Sequence, residues 1–143
     1  MGRDIEVVFM SDQKPRLTSS VVIIHDGKYL LAKRNKENYN GYWIFPGGGV
    51  DFGETLHDAA VREAKEETNL DVEILKQIGF KEIINVPGNY HSIVFFYLAK
   101  PKHLNVKAKD DVSLAEFFTI EQIKELKIAE SVEWALKEVG YWS

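Results

Sequence analysis

A run of glycines followed by clustered carboxylates, residues 47–70 (GGGVDFGETLHDAAVREAKEETNL), places the strongest constraint on how this chain can fold. Three consecutive glycines are followed by six Asp or Glu residues within the next twenty-one positions. Like charges at this density repel one another and oppose folding unless another group neutralises them. The folded protein must therefore bring a compensating partner to this segment, and the chemistry of that partner bears directly on function.

The acidic residues fall in a segment that carries start and stop signals for a helix. Thr55 is followed three positions later by Asp58, which resembles a capping box with Asp in place of the usual Glu or Gln. Asn69 tolerates the left-handed conformation that commonly follows the last helical residue. These signals predict a helix that begins after Thr55 and ends near Thr68.

On a helical wheel of about 100° per residue, Glu63, Glu66 and Glu67 lie within a sector of roughly 100° that borders the packed face. The wheel points Arg62 in another direction, although its spacing to Glu66 permits an ion pair. A solvated surface helix is the plain alternative for such a charge run, but Arg62 cannot neutralise three carboxylates. Clustered carboxylates without His or Cys favour a hard cation such as Mg²⁺.

The rest of the chain alternates between strand-like and helix-like patterns. Asp26-Gly27 joins two β-rich runs and is typical of a tight hairpin. Predicted strands cover residues 20–25, 28–33, 72–86, 91–99 and 113–118, and later helical segments cover 120–126 and 129–139. This order favours an α/β fold, a mixed β-sheet covered on both faces as an α/β/α sandwich, within a single domain over residues 1–143.

Composition argues against several classes of protein. An apolar fraction of 45% and a charged fraction of 28% are typical of a soluble globular protein. No apolar run approaches the roughly 20 residues that span a bilayer, and a net charge of −4 argues against a nucleic-acid-binding surface. With no cysteine and no export or anchoring signal in the first ten residues, a cytoplasmic location is expected.

The spacing from Gly48 to Leu70, G-x5-E-x7-R-E-A-x-E-E-x-N-L, resembles the Nudix box. This box is the signature of a family of Mg²⁺-dependent hydrolases that act on a nucleoside diphosphate linked to another group. The W-x-F-P-G-G sequence before the helix and the strand-then-helix ending also resemble that family. Ala64 stands where a bulkier aliphatic residue is usual and Asn69 where glycine is expected, but both keep the physical role of the position.

The resemblance implies a metal site built from a loop, a helix and a second loop. Carried onto matching positions, the ligands are the carbonyl of Gly47 and the carboxylates of Glu63 and Glu67. Glu66 is implied to be a further ligand or the group that polarises water. The implied cofactor is Mg²⁺, with Mn²⁺ as its expected substitute.

The resemblance also implies roles for catalytic residues around the metal site. Arg62 would orient the carboxylates, and Glu54 would support the site. The family often adds an acid from a downstream loop, as base or extra ligand, and DDVSLAEFF resembles the segment that carries it. Asp111 is the candidate for this acid and Asp110 is its rival. In this chemistry a carboxylate takes the proton of the water that attacks the phosphate.

A small nucleotide substrate is implied, and three functions stay open. The first is a nucleoside triphosphate pyrophosphohydrolase, which the small size of the chain favours. The second is an ADP-ribose or nucleotide-sugar pyrophosphatase. The third is a nucleotide-sensing module without hydrolysis, against which the intact acidic cluster argues. A monomer and a homodimer are both compatible with the sequence.

Substrate contacts are expected from residues on both sides of the acidic helix. Gly48 would let the backbone approach the ligand closely, and Arg34 or Lys33 would contact phosphate. The aromatic candidates for stacking on a base are Tyr39, Tyr42, Trp43, Phe52 and Tyr90. Core packing is the alternative for each aromatic residue, and we expect it for Trp43.

Overall fold

A computed structural model of the protein describes residues 14–141. Within this range it contains seven strands and three helices, in an order close to the predicted one. The elements are β1 (Arg16–His25), β2 (Lys28–Arg34), β3 (Trp43–Ile44), β4 (Gly47–Gly49), α1 (Leu56–Thr68), β5 (Val72–Asn85), β6 (Tyr90–Pro101), β7 (Val112–Phe118), α2 (Ile120–Ile123) and α3 (Glu130–Glu138).

The sheet is mixed, as predicted, and β1 lies at its centre. β1 pairs in parallel with β6 and antiparallel with β2 and β4. On one side of β1 the sheet continues through β2 to β3 and β7, and on the other side it ends at β5, which pairs with β6. The short strand β4 is thereby held against β1 immediately before α1 begins.

Successive residues of β1 point to opposite faces of the sheet, and each face has its own core. Val21 and Ile23 pack with Ala60 and Ala64 of α1, whereas Val22 packs in the other core. This second core includes Phe96, Val132 and Leu136. Helices therefore cover both faces of the sheet, which confirms the predicted sandwich.

Both predicted ends of α1 are confirmed. The Thr55 hydroxyl accepts a hydrogen bond of 3.0 Å from the backbone N–H of Asp58. At the other end Asn69 adopts the left-handed conformation, with φ of 68°, and its N–H donates to the carbonyl of Lys65. These caps satisfy backbone groups that a helix leaves unpaired at its ends.

The predicted helix over residues 120–126 is wrong in its length, because α2 ends at Ile123. After that point the chain makes single turns, and the carbonyl of Lys127 accepts a hydrogen bond of 2.8 Å from the backbone N–H of Trp43. Ile128 then forms a parallel bridge with Trp43. The segment that was predicted to prolong the helix thus leads into a pairing with β3, which a local sequence pattern cannot reveal.

Two expectations from the sequence concern the cellular location of the protein, namely the lack of a membrane span and the lack of an export or anchoring signal. Within residues 14–141, no helix has both the length and the apolar character that crossing a bilayer requires. The expected lack of an export or anchoring signal concerns the first ten residues, which lie outside the described part of the chain.

Candidate active site

The glycines of β4 bring the backbone against β1 on one side and against α1 on the other. A Cβ atom on Gly47 would lie 2.6 Å from the carbonyl oxygen of Ser19, so only glycine fits at this position without displacement. The N–H of Gly47 donates a hydrogen bond of 3.0 Å to Oε1 of Glu67. This bond fixes a buried carboxylate beside the backbone of β4.

Gly48 makes room for the second buried carboxylate. A Cβ atom on Gly48 would lie 2.6 Å from the carboxyl carbon of Glu63. Glu63 and Glu67 have exposures of 9% and 4%, while the Glu66 side chain is 46% exposed. Two of the three clustered carboxylates are therefore buried under β4, and the third lies at the surface.

Arg62 lies at the centre of a network of charge-assisted hydrogen bonds. Its Nε contacts Glu54 at 2.7 Å, its Nη1 contacts Glu63 at 2.9 Å and Glu66 at 3.1 Å, and its Nη2 donates to the carbonyl of Gly49 at 2.9 Å. The prediction from the helical wheel that Arg62 points away from the acidic face is wrong. Its long side chain folds back over the helix, which a wheel of Cα directions does not capture.

The network separates the carboxylates by their pKa values. The hydrogen bonds from Arg62 lower the pKa of Glu54 to about 2. Burial raises the pKa of Glu63 even though Arg62 acts in the opposite direction. Burial raises the pKa of Glu67 to about 8, against the lowering effect of the Gly47 N–H. The Arg62 guanidinium compensates part of the acidic cluster but makes no contact with Glu67 among the described residues.

The chemistry of these groups fits a hard cation. Glu67 is a buried carboxylate that accepts one hydrogen bond from Gly47, and its pKa is raised further by Glu63 and Asp111. Among residues 14–141, however, no three carboxylate or imidazole side chains already form a complete metal centre. In this structure Glu63 and Glu66 are both bonded to Arg62. The oxygen-only donor set matches Mg²⁺ or Mn²⁺ in type.

Asp111 lies on the same cleft as the buried carboxylates. The loop before β7 is held to the end of α1, because the N–H of Lys109 donates to the carbonyl of Glu67 at 2.9 Å. Asp111 pairs with Lys36 at 3.0 Å and lines the cleft. Its rival Asp110 is exposed, with φ of 55°, and does not line it. The geometry therefore favours Asp111 over Asp110.

The cleft between β4, the β2–β3 loop and the start of β6 has a volume of about 240 Å³. It brings together most of the sequence-predicted site residues, namely Arg34, Tyr39, Gly47, Gly48, Glu63, Glu67 and Asp111. Glu54, Arg62 and Glu66 do not line it but lie next to it, in the Arg62 network. These predicted residues thus lie in one connected region of the molecule.

The aromatic candidates divide between the cleft and other places. Tyr39 and Tyr90 both line the cleft, with ring centroids 6.1 Å apart. Trp43 packs in the core, edge-on to Phe118 at 5.0 Å, and does not line the cleft. Its place supports the core-packing interpretation rather than a substrate contact. Phe52 is fully exposed in the loop before α1.

Five polar residues on the cleft wall were not identified from the sequence: Arg16, Thr18, Ser20, Lys36 and Ser131. The first three alternate along β1 on the face of Val22 and were therefore recognisable only once the face of β1 that meets the cleft was known. Lys36 follows Arg34 in the loop, and no pattern in the sequence marked it.

Comparison with known proteins shows one family. The NUDIX domain family model matches residues 14–137. Over 128 residues the chain is 32% identical to an ADP-ribose pyrophosphatase from Methanocaldococcus jannaschii, covering 90% of this chain and 75% of that protein. It is 30% identical to Nudix hydrolase 2 from Arabidopsis thaliana over 71% of this chain, but the match spans only 37% of that longer protein.

Solved structures have the same fold. A MutT NUDIX hydrolase from Burkholderia pseudomallei superposes with a TM-score of 0.79 at 24% identity, covering 88% of this chain and 98% of its own. A bifunctional NMN adenylyltransferase/ADP ribose pyrophosphatase from Francisella tularensis, complexed with AMP and a Mn ion, has a TM-score of 0.71 at 19% identity, covering 94% of this chain and 44% of that one. The mixed sheet with helices on both faces is therefore a Nudix fold.

Proposed function

We propose that the substrate of this protein is a nucleoside diphosphate linked to a sugar. The chain belongs to the Nudix hydrolase family, whose enzymes act on pyrophosphate bonds. ADP-ribose is the first candidate. The observation that carries the proposal is the pair of buried carboxylates, Glu63 and Glu67, on a cleft that also contains Arg34. Such a cleft suits a phosphate group that arrives together with a cation.

The acidic cluster supports hydrolysis rather than binding alone. Burying carboxylates raises their pKa and opposes folding, so a site that only binds nucleotide has no need of them. Glu63, Glu66 and Glu67, with the carbonyl of Gly47, are the groups that would hold a divalent cation. When bound, this cation neutralises phosphate charge and makes a water molecule more acidic.

The remaining steps belong to the side chains around the cleft. Asp111 or Glu66 would accept the proton of the attacking water, and Arg62 would hold Glu63 and Glu66 in place. Water attacks one phosphorus of ADP-ribose, the bridging P–O bond breaks, and the products are AMP and ribose 5-phosphate. Arg34 would contact the phosphates, from a position where its Nε donates to the carbonyl of Asn38 at 2.7 Å.

ADP-ribose is the first candidate substrate because the M. jannaschii relative is an ADP-ribose pyrophosphatase and its similarity extends over 90% of this chain. This outweighs the small size of the chain, which favoured a nucleoside triphosphate. The triphosphate remains the second candidate on one observation. Three cations, Arg16, Arg34 and Lys36, line the cleft and match the charge of a longer phosphate chain.

A substrate panel tests the proposal. The purified protein is incubated with ADP-ribose, nucleoside triphosphates, ADP-glucose and dinucleoside polyphosphates, each with Mg²⁺, with Mn²⁺ or with excess EDTA. We expect AMP and ribose 5-phosphate from ADP-ribose, only when a metal is present. Release of pyrophosphate from a nucleoside triphosphate at higher kcat/KM would favour the second candidate. Nucleotide binding without any product would show that the protein is a sensor.

A further inference from the structure

Arg16 occupies a distinct position on the cleft wall. It is the first residue of β1, on the same side of the strand as Thr18 and Ser20, and all three line the cleft. Its Nη2 lies 3.0 Å from the point where a Cβ atom on Gly49 would stand. The third glycine of the triplet therefore leaves space for the Arg16 guanidinium to lie across β4.

The other cations at the cleft, Arg34, Lys36 and Arg62, have partners, whereas the Arg16 side chain has none within the described residues 14–141. Arg34 donates to backbone carbonyls of its own loop, Lys36 pairs with Asp111, and Arg62 is bonded to the acidic cluster. The backbone of Arg16 pairs with β6, but within residues 14–141 its guanidinium makes no hydrogen bond or ion pair. An exposed arginine without a partner is commonly just solvated, so a binding role for Arg16 must follow from its location.

The location of Arg16 differs from that of an ordinary surface cation in two respects. Arg16 and Tyr90 line both the catalytic cleft and a neighbouring cavity, which Lys14 and His91 also line. In addition, Arg16 lies on the β4 side of the cleft, whereas Arg34 and Lys36 belong to the end of β2 and the loop after it. A substrate that reaches across the cleft from Arg34 to β4 meets the Arg16 guanidinium there.

The chemistry of the substrate requires such a group. A diphosphate that enters this cleft is repelled by Glu63 and Glu67, and each of its phosphates has oxygens that need donors on more than one side. A guanidinium offers planar paired donors that match two phosphate oxygens. We propose that Arg16 is a substrate-positioning residue that binds an anionic phosphate oxygen on the β4 side of the cleft. This rests on the proposed function only in taking a diphosphate as the substrate.

Steady-state kinetics of Arg16→Ala and Arg16→Lys with ADP-ribose test this role, together with calorimetric titration of ADP. The matched control is Lys28→Ala, an exposed cation that is the first residue of β2 and pairs with the far end of β1 at His25. We expect Arg16→Ala to raise KM and the Kd of ADP by about tenfold or more, with kcat changed less than about threefold. Arg16→Lys should lie in between, because it keeps the charge and loses the paired donors.

The proposal is overturned if Arg16→Ala leaves both KM and the Kd of ADP within about twofold of wild type. It is also overturned if Arg16→Ala weakens binding only in proportion to a fall in melting temperature, which would indicate a structural residue. If wild type does not cleave ADP-ribose at all, the proposed function fails separately. In that case the ADP titrations still decide whether Arg16 binds phosphate.

Discussion

At the scale of single residues, the site combines carboxylates whose environments differ sharply. Glu54 is held ionised by Arg62, with its pKa lowered to about 2, whereas burial beside Glu63 raises the pKa of Glu67 to about 8. Groups with pKa values separated in this way are common at active sites, because they can serve different protonation steps. The difference also makes stability depend on pH in a way that can be measured.

Glu67 should destabilise the metal-free protein as pH rises. Its folded-state pKa is raised, so its contribution to stability is complete below about pH 4.5 and is lost as pH rises through about 8. Glu67→Gln should remove this dependence and be at least as stable as wild type near pH 8. The expected difference is on the order of 1 to 3 kcal/mol, measured by urea unfolding in EDTA between pH 4.5 and 8.5.

A loss of stability on removing the charge would contradict this view of Glu67. If Glu67→Gln is less stable than wild type by more than about 1 kcal/mol near pH 8, the carboxylate is a structural partner and not a destabilising group. Glu73→Gln, on an exposed residue of β5 that pairs with Lys100 at 3.5 Å, is the control and should follow the wild-type pH profile. Metal-dependent turnover of Glu67→Gln should fall by at least about a hundredfold.

Arg62 should not be replaceable by lysine. Its three nitrogens reach Glu54, Glu63, Glu66 and the carbonyl of Gly49, and an ammonium group cannot satisfy these acceptors together. We expect Arg62→Lys to cost about 1 to 3 kcal/mol and to lower kcat by at least about tenfold. Thermal melts and initial rates measure the two effects. Lys65→Ala, on the exposed side of α1, should change stability by less than about 0.5 kcal/mol.

At the scale of elements, the short strand β3 links the core to the loop that carries the cleft cations. Trp43 is 9% exposed, packs edge-on against Phe118 of β7 and exchanges backbone hydrogen bonds with the segment before α3. Trp43→Ala should therefore lower stability by about 3 to 5 kcal/mol, the range for truncation of a large core residue. Urea unfolding measures this loss.

The neighbouring Tyr42 provides a matched control for Trp43. Its ring is only partly buried and lies 4.4 Å from Nζ of Lys127, so Tyr42→Ala should cost about 1 kcal/mol or less. A Trp43→Ala variant that unfolds like wild type but binds ADP weakly would reassign Trp43 to the substrate pocket. Trp43 would then again be a candidate for stacking on the base of the nucleotide.

The contrast between α1 and α2 shows which elements can be predicted from sequence. The ends of α1 depend on Thr55 and Asn69, which act on their own backbone within a few residues. Both ends were therefore predictable from local patterns. After the end of α2 the chain instead pairs with a distant segment, through the hydrogen bond between Trp43 and Lys127. Local propensity cannot anticipate a partner of this kind.

At the scale of the whole molecule, the site joins segments that only the fold brings together. The carboxylates of α1 have the spacing of the Nudix box, so the sequence alone marks them as candidate metal ligands. The same motif also points to Gly47 and Gly48. Arg16 carries no such signal, because its place on the cleft follows from the pairing of β1 with β4. Asp111 was preferred to Asp110 from the resemblance, and the fold supports this choice because Asp111 lines the cleft while Asp110 is exposed in a turn.

Stability and activity of the whole protein should both depend on a divalent cation. A metal that binds only the folded state stabilises it by mass action, and here it would also relieve repulsion between Glu63 and Glu67. Adding about 10 mM Mg²⁺ or Mn²⁺ to EDTA-treated protein should raise the melting temperature by several degrees. Glu67→Gln should gain clearly less, and Glu73→Gln should gain as much as wild type.

Turnover under the same conditions completes this prediction. Hydrolysis should stop in excess EDTA and return with Mg²⁺, and its rate should rise above neutral pH, because delivery of hydroxide to the phosphate needs deprotonated groups. Initial rates from pH 5 to 9 at saturating metal measure this dependence. Full turnover in excess chelator would rule out a role for the carboxylates of Glu63 and Glu67 as metal ligands, and an optimum in acid would count against a metal-activated water as the attacking group. A rise in melting temperature equal in wild type and Glu67→Gln would place the cation elsewhere on the molecule.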